Sequence, residues 1–189
     1  MNNERTLERG NAFRIIVGYP FVVLLISLLL NLFIFGIEPF FASLPTKPVF
    51  VVAAIAAMML AANHSILMTT TELVRTRYGL HATPEEWVAS DDDPDKASGL
   101  GIQELARNHN THRNATENTV IFAVLAPLFI MCSPSAIAAA FWLVGFGIGR
   151  LGHTYGFLKG REGIRGLFMT VNLLSLYGMA SYLAVSFFL

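Results

Sequence analysis

The residues able to do chemistry gather between Arg107 and Asn118, where twelve positions hold two arginines, two histidines, four asparagines and a glutamate. Fourteen uncharged residues follow directly, Thr119 to Cys132. On one helix, at about 100° per residue, Asn110, Arg113, Asn114 and Glu117 fall within roughly a third of the circumference. A cation, an amide and a carboxylate on one face, at the mouth of an apolar run, require partners or a polar ligand.

The elements that must position this face are membrane helices. Of the 189 residues 54% are hydrophobic and only 14% charged, with a mean hydropathy of +0.55; soluble chains average about 25% charged. The net charge of zero gives no reason to propose nucleic acid as a partner. One cysteine, Cys132, excludes an internal disulfide and any zinc site built on several thiolates, and at the end of an apolar run it reads as a small buried hydrophobe.

Residues 1–14 are polar and carry Arg5, Arg9 and Arg14. The apolar segment 15–37 is long enough to span a bilayer core, which takes about 20 residues, and too long for a signal-peptide core. It reads as a retained helix. A loop with Pro39, Pro45 and Pro48 leads to a second apolar segment, 49–78, whose later turns bring His64, Met68, Thr71 and Arg75 onto one face and which should stop near Tyr78–Gly79. Residues 79–101 read as a solvated acidic loop; Asp91, Asp92, Asp93 and Asp95 lack the alternating ligands and central glycine of a calcium loop. Helices are expected over about 102–132, 136–158 and 164–189, with residues 136–149 rich in small residues suited to close packing. Arg150, His153, Thr154 and Phe157 share a face at the end of 136–158, and Asn172 lies two turns after Arg165.

The polar half is C-terminal in 49–78 and 136–158 and N-terminal in 102–132 and 164–189. In an up-down bundle these ends meet on one side of the membrane. Twelve of the thirteen basic residues fall on that side and only Lys47 opposite, so by the positive-inside rule it faces the cytoplasm, with the N-terminus. The predicted fold is an all-α integral membrane protein: an up-down four-helix bundle with one extra N-terminal helix, five spans in all. Short loops fit a bacterial inner membrane. The polar layer would hold Arg75, Arg113, Arg150 and Arg165 with Glu72 and Glu117 as internal counter-ions. The excess of cations suits an anionic ligand bearing carboxylates; a salt-bridged network that locks the helices accounts for the same residues.

Other motifs carry less. His109 and His112, with His64 and His153 in the layer, form no closed metal-ligand set, and no metal is expected. Asn63-His64-Ser65 and Asn114-Ala115-Thr116 match the glycosylation sequon but sit in helices on the inner side.

Three motifs resemble one family, the membrane-associated proteins in eicosanoid and glutathione metabolism (MAPEG), which includes microsomal glutathione transferases and microsomal prostaglandin E synthase. His112-Arg113-Asn114, with Glu117 and Asn118, resembles its second-helix signature. Gly149-Arg150, with His153 and Thr154, resembles its third-helix motif. Ile164-Arg165, after a short basic loop, resembles the start of its fourth helix. The resemblance covers about residues 49–189, which would form the family domain behind a 1–14 tail and the extra 15–37 helix.

The resemblance implies a homotrimer binding glutathione between subunits near the cytoplasmic face. Arg75 and Arg113 would contact its carboxylates, Asn114 its backbone and Glu117 its amine. Arg150, His153 and Thr154 would line the pocket, and Arg165 would lie beside the sulfur as the catalytic residue. The implied activity is conjugation of lipophilic electrophiles, or reduction of lipid hydroperoxides, the second substrate arriving from membrane lipid. One branch of the family binds lipid without catalysis, which is the alternative. Third in line is a small transporter, against which stands the lack of an acidic relay in the apolar half. This chain departs from the pattern at Phe157, where many relatives carry a tyrosine, and at Gly166, where the prostaglandin synthase has a serine.

Overall fold

In the computed structural model the backbone of residues 2–189 and the side chains of residues 13–189 are described. Six helices follow one another: α1 (Asn2–Leu30, prolonged by a π turn, Asn31–Phe35), α2 (Lys47–Tyr78), α3 (Pro84–Ser90), α4 (Gly99–Met131), α5 (Ala136–Leu158) and α6 (Glu162–Ser186). No strand occurs among the described residues. All but α3 are long and apolar enough to cross a membrane, where a helix satisfies its own backbone groups without water. The five-span expectation holds, and large side chains such as Phe21, Phe33, Phe50 and Met58 lie on the outside as a lipid-facing surface requires.

Local chemistry sets the helix ends. Pro48 sits in the first turn of α2, where its missing N–H costs nothing. Gly79 closes that helix in the left-handed region at φ 60°, a conformation glycine adopts without steric penalty. Ser98 caps α4 and Ser135 caps α5 through their hydroxyls. Two expected boundaries move. Helix α1 opens at Asn2, ahead of the apolar segment, and the side chains of Arg5 and Arg9 in the expected 1–14 tail lie outside the described residues. The 79–101 stretch is not all loop: it holds α3, a 3-10 turn at Pro94–Lys96 and the first turn of α4. A variant of the capping box starts α3, with Thr83 Oγ1 accepting from Glu86 N (3.3 Å) and Glu86 Oε2 accepting from the N–H of Ala82, one residue before the cap (2.7 Å).

Helix α5 packs most closely on α6, while α2 lies against α4 and α5 and α4 also touches α6. The apolar core fills the half of the bundle away from the polar layer: Val49, Ala56, Phe129, Trp142, Leu143, Phe146, Met179 and Tyr182 are almost wholly buried. Glycines let α5 and α6 approach; a Cβ on Gly178 would lie 2.4 Å from the Trp142 ring.

The extra helix α1 docks on α6 through polar anchors. Asn31 Nδ2 donates to Gly178 O (2.7 Å) and Ser181 Oγ (3.0 Å), and Trp142 Nε1 donates to Asn31 Oδ1 (2.9 Å). Ser27 Oγ bonds Leu174 O at 3.0 Å and Tyr19 OH bonds Thr170 Oγ1 at 2.7 Å. Tyr19, Ser27 and Asn31 within the 15–37 segment are thus its attachment points.

Candidate functional site

Antiparallel packing brings the polar ends together. Helix α2 is about 48 Å long at 1.5 Å per residue, well beyond an apolar core of about 30 Å, so its last turns stand beside the polar half of α4. Arg77 reaches Glu104 at 3.9 Å. At the same end α5 meets α6 so closely that a Cβ on Gly156 would lie 2.7 Å from the Arg165 backbone nitrogen.

Arg150 is the centre. Its side chain is entirely buried, a position that a guanidinium occupies only when compensated. Nη2 donates to Asn114 Oδ1 on α4 at 3.1 Å and lies 3.3 Å from His153 Nδ1. Guanidinium nitrogens only donate, so Nδ1 is the acceptor and the ring proton sits on Nε2. Nε and Nη1 of Arg150 have no hydrogen-bond partner, and no carboxylate pairs with the residue among the described residues. Thr154 Oγ1, one helical turn on, is likewise buried without a partner.

From His153 the contacts continue to α6. The His153 and Phe157 rings lie 5.7 Å apart, and the Arg165 guanidinium sits 5.2 Å over the Phe157 ring. Asn114, Arg150, His153, Phe157 and Arg165 therefore form one connected line across three helices. The remaining expected residues stay apart in the single chain. Arg75, partly buried, pairs with Glu72 at 2.5 Å while its Nε is unpartnered. Arg113 is exposed and bonds only Asn110, at 3.1 Å.

Glu117 is exposed and forms no ion pair among the described residues. In the single chain it is therefore not paired with an arginine of the layer, Arg113 and Glu117 both being exposed on α4. The His64 and His112 rings approach one another across α2 and α4, with ring centres 6.4 Å apart. No group of three or more metal-binding side chains forms among the described residues.

Two residues placed by spacing alone, Asn172 and Phe157, also take part. Asn172 is fully buried with both amide atoms unpartnered, and it packs on Gly149, where a Cβ would meet its Oδ1 at 2.8 Å. Its spacing of seven from Arg165, which puts both on one helix face, was the available signal. Phe157, on the face of Arg150 and His153, contributes its ring to both His153 and Arg165.

The class is therefore an all-helical, multi-pass membrane protein whose bundle buries the Arg150 guanidinium among polar groups at one end. The chain belongs to the MAPEG family: the family model matches residues 49–185, from the start of α2 almost to the end of α6, and leaves α1 outside. No curated protein matches the chain.

Proposed function

We propose that this protein is a glutathione-dependent membrane enzyme that conjugates, or reduces, lipophilic electrophiles. The observation that supports it most is Arg150, a wholly buried cation with two unpartnered nitrogens and no carboxylate. Such a group is tolerable only if an anion with hydrogen-bond acceptors completes it. Glutathione fits this need with two carboxylates, and its ammonium suits the otherwise unpaired Glu117.

In this reading Arg75, Arg113 and Arg150 hold carboxylates, Asn114 bonds the peptide backbone, and His153 and Thr154 line the pocket. When bound, glutathione supplies a thiol of ordinary pKa about 8.5, reactive as its thiolate. Arg165 favours the thiolate as a fixed cation that does not itself give up a proton. Phe157 fixes the height of that cation through its ring.

The exposed Arg113 and Glu117 call for a second copy of the chain, and a homotrimer with the site between subunits is the assembly proposed. The distribution of arginine and lysine supports a cytoplasmic site and N-terminus, and the short chain and compact loops suit a bacterial inner membrane. Residues 49–189 would form the catalytic domain, with 15–37 an added helix behind the 1–14 tail.

The deciding experiment is ultraviolet thiolate absorbance on adding glutathione to the purified protein. A thiolate signal that Arg165→Ala abolishes, together with loss of conjugation of a generic electrophile, is expected. Glutathione binding with no thiolate would instead identify a non-catalytic, lipid-binding member of the fold.

A further inference from the structure

Arg107, at the front of the polar stretch on α4, has no part in the line from Asn114 to Arg165. Glu104, Arg107 and Asn108 are spaced three and four apart on α4, and Thr70, Leu73, Val74 and Arg77 follow the same spacing on α2, so each set forms one helix face. These two faces, with Leu158 and Lys159 at the end of α5, enclose a cavity of about 390 Å³.

The length of α2 sets its depth. Counted from Lys47 at the start of the helix, Thr70 lies about 35 Å and Arg77 about 45 Å along the axis at 1.5 Å per residue. An apolar core is about 30 Å thick, so the cavity lies among the headgroups and in the water just beyond them. Its neutral polar groups are engaged within their own helices: Thr70 Oγ1 donates to Leu67 O (3.1 Å) and Asn108 Nδ2 to Glu104 O (3.0 Å). Arg77 meets Glu104 at 3.9 Å, too long for a hydrogen bond. Arg107 and Lys159 are exposed and form no ion pair among the described residues. Cations from α2, α4 and the end of α5 therefore face one space that holds a single carboxylate.

We propose that this cavity binds a phosphate group, carried by a phospholipid headgroup or by a soluble phosphate ester. A phosphomonoester bears a charge of about −1.5 to −2 at pH 7, which matches three cations less one carboxylate. Its tetrahedral oxygens accept from three directions at once, whereas the two oxygens of a carboxylate lie in one plane and suit a single arginine fork. At about 30 Å³ per water-sized group the cavity holds roughly a dozen such groups, which leaves room for a glycerol unit against Leu73, Val74 and Leu158. The bound phosphate would tie α2, α4 and α5 together at this end of the bundle. The site uses none of Arg113, Asn114, Arg150 or Arg165 and does not rest on the glutathione reading.

The test uses the full chain in phosphatidylcholine nanodiscs without glutathione. Glycerol 3-phosphate and phosphatidic acid carry the same phosphomonoester, one in water and one in the bilayer, and the affinity of each is measured. Binding of phosphatidic acid alone identifies the lipid as the source, and binding of glycerol 3-phosphate identifies the soluble ester. Arg77→Gln and Arg107→Gln should each weaken binding roughly fivefold, the worth of one basic residue at a membrane surface. Glu104→Gln should tighten it by a similar factor, a gain that misfolding cannot imitate. Binding of neither compound, or an affinity unchanged in all three variants, overturns the proposal, and neither outcome depends on thiolate formation. Displacement of the bound ester by added glutathione also overturns it, by making the cavity part of the glutathione site.

Discussion

The guanidinium of Arg165 stands 5.2 Å over the ring of Phe157, so α6 presents this cation on an aromatic platform supplied by α5. The face of an aromatic ring attracts a cation, with a worth of about 0.5–2 kcal/mol depending on desolvation. A hydroxyl is not needed for that contact. Phe157→Tyr should keep glutathione-conjugating activity within about threefold, whereas Phe157→Leu should lower it roughly 3- to 30-fold, as the loss of that contact implies. Steady-state kinetics with a generic electrophile, alongside thiolate absorbance, measures both. Equal activity of the leucine variant and the parent would remove Phe157 from the site.

Arg150 gives a prediction of opposite sign in the two ligand states. Replacing a buried charge by an apolar side chain of similar volume is often neutral or stabilising by about 1–4 kcal/mol. Arg150→Met should therefore melt at or above the parent temperature without ligand. Glutathione at a hundred times its Kd should stabilise the parent by about 2.7 kcal/mol and the variant far less. Thermal melts with and without glutathione decide this. A variant that loses stability and keeps the ligand shift would make Arg150 a structural group.

The polar layer and the five spans were legible because a bilayer penalises charge anywhere but at its edges or inside a bundle. The line from Asn114 to Arg165 was legible only in part. Arg150, His153 and Phe157 declared themselves by spacing on one face, but the use that Arg165 makes of the Phe157 ring was not legible, because it depends on how α6 packs on α5. The anchoring part of Asn31 and Ser27 in the apolar 15–37 segment was not legible because their partners, Gly178 and Leu174, are 147 residues away. Helix α3 was hidden by its length of seven residues, although the Thr83–Glu86 capping box was present to be read.

The anchoring of α1 can be measured through Asn31. Asn31→Leu removes two donated bonds and leaves Trp142 Nε1 buried without its acceptor. An unsatisfied buried group costs about 1–3 kcal/mol. Amide exchange in residues 23–35 should accelerate by roughly one to two orders of magnitude, in line with that cost, while α4 and α5 keep their protection. Unchanged exchange in 23–35 would mean that apolar contacts alone hold the helix.

Outside the spans, the short segment carrying α3 has a pH-sensitive contact. His81 Nε2 meets Asp92 Oδ2 at 2.8 Å, and the His81 ring rests edge-on against Trp87. The hydrogen bond from His81, followed by that from Ser90, holds the Asp92 carboxyl below the usual carboxylate range. A group depressed in the folded state stabilises above its unfolded pKa, and that contribution is lost as the pH falls through the folded value. The contact should therefore persist through neutral pH and open only in acid below the ordinary carboxylate range. Carboxyl NMR titration of Asp92 tests this, and His81→Gln should move the titration upward.

Gly156 ties packing directly to chemistry. A Cβ there would lie 2.7 Å from the backbone nitrogen and 3.0 Å from the Cα of Arg165. Backbone atoms at the start of a helix cannot swing aside as a flexible side chain does, so the added methyl must push α6 away from α5. Overpacking of this kind costs about 1–3 kcal/mol. It also moves Arg165 off the Phe157 ring, since the two residues sit on the helices being separated. Gly156→Ala should accordingly form less thiolate than the parent at saturating glutathione, with glutathione affinity reduced much less. A control at Gly163, where an added Cβ meets nothing within 4 Å, should leave thiolate formation unchanged. Thiolate absorbance across a glutathione titration separates the amplitude from the binding constant. An unchanged amplitude in Gly156→Ala would show that Arg165 does not act from the position that α5 gives it.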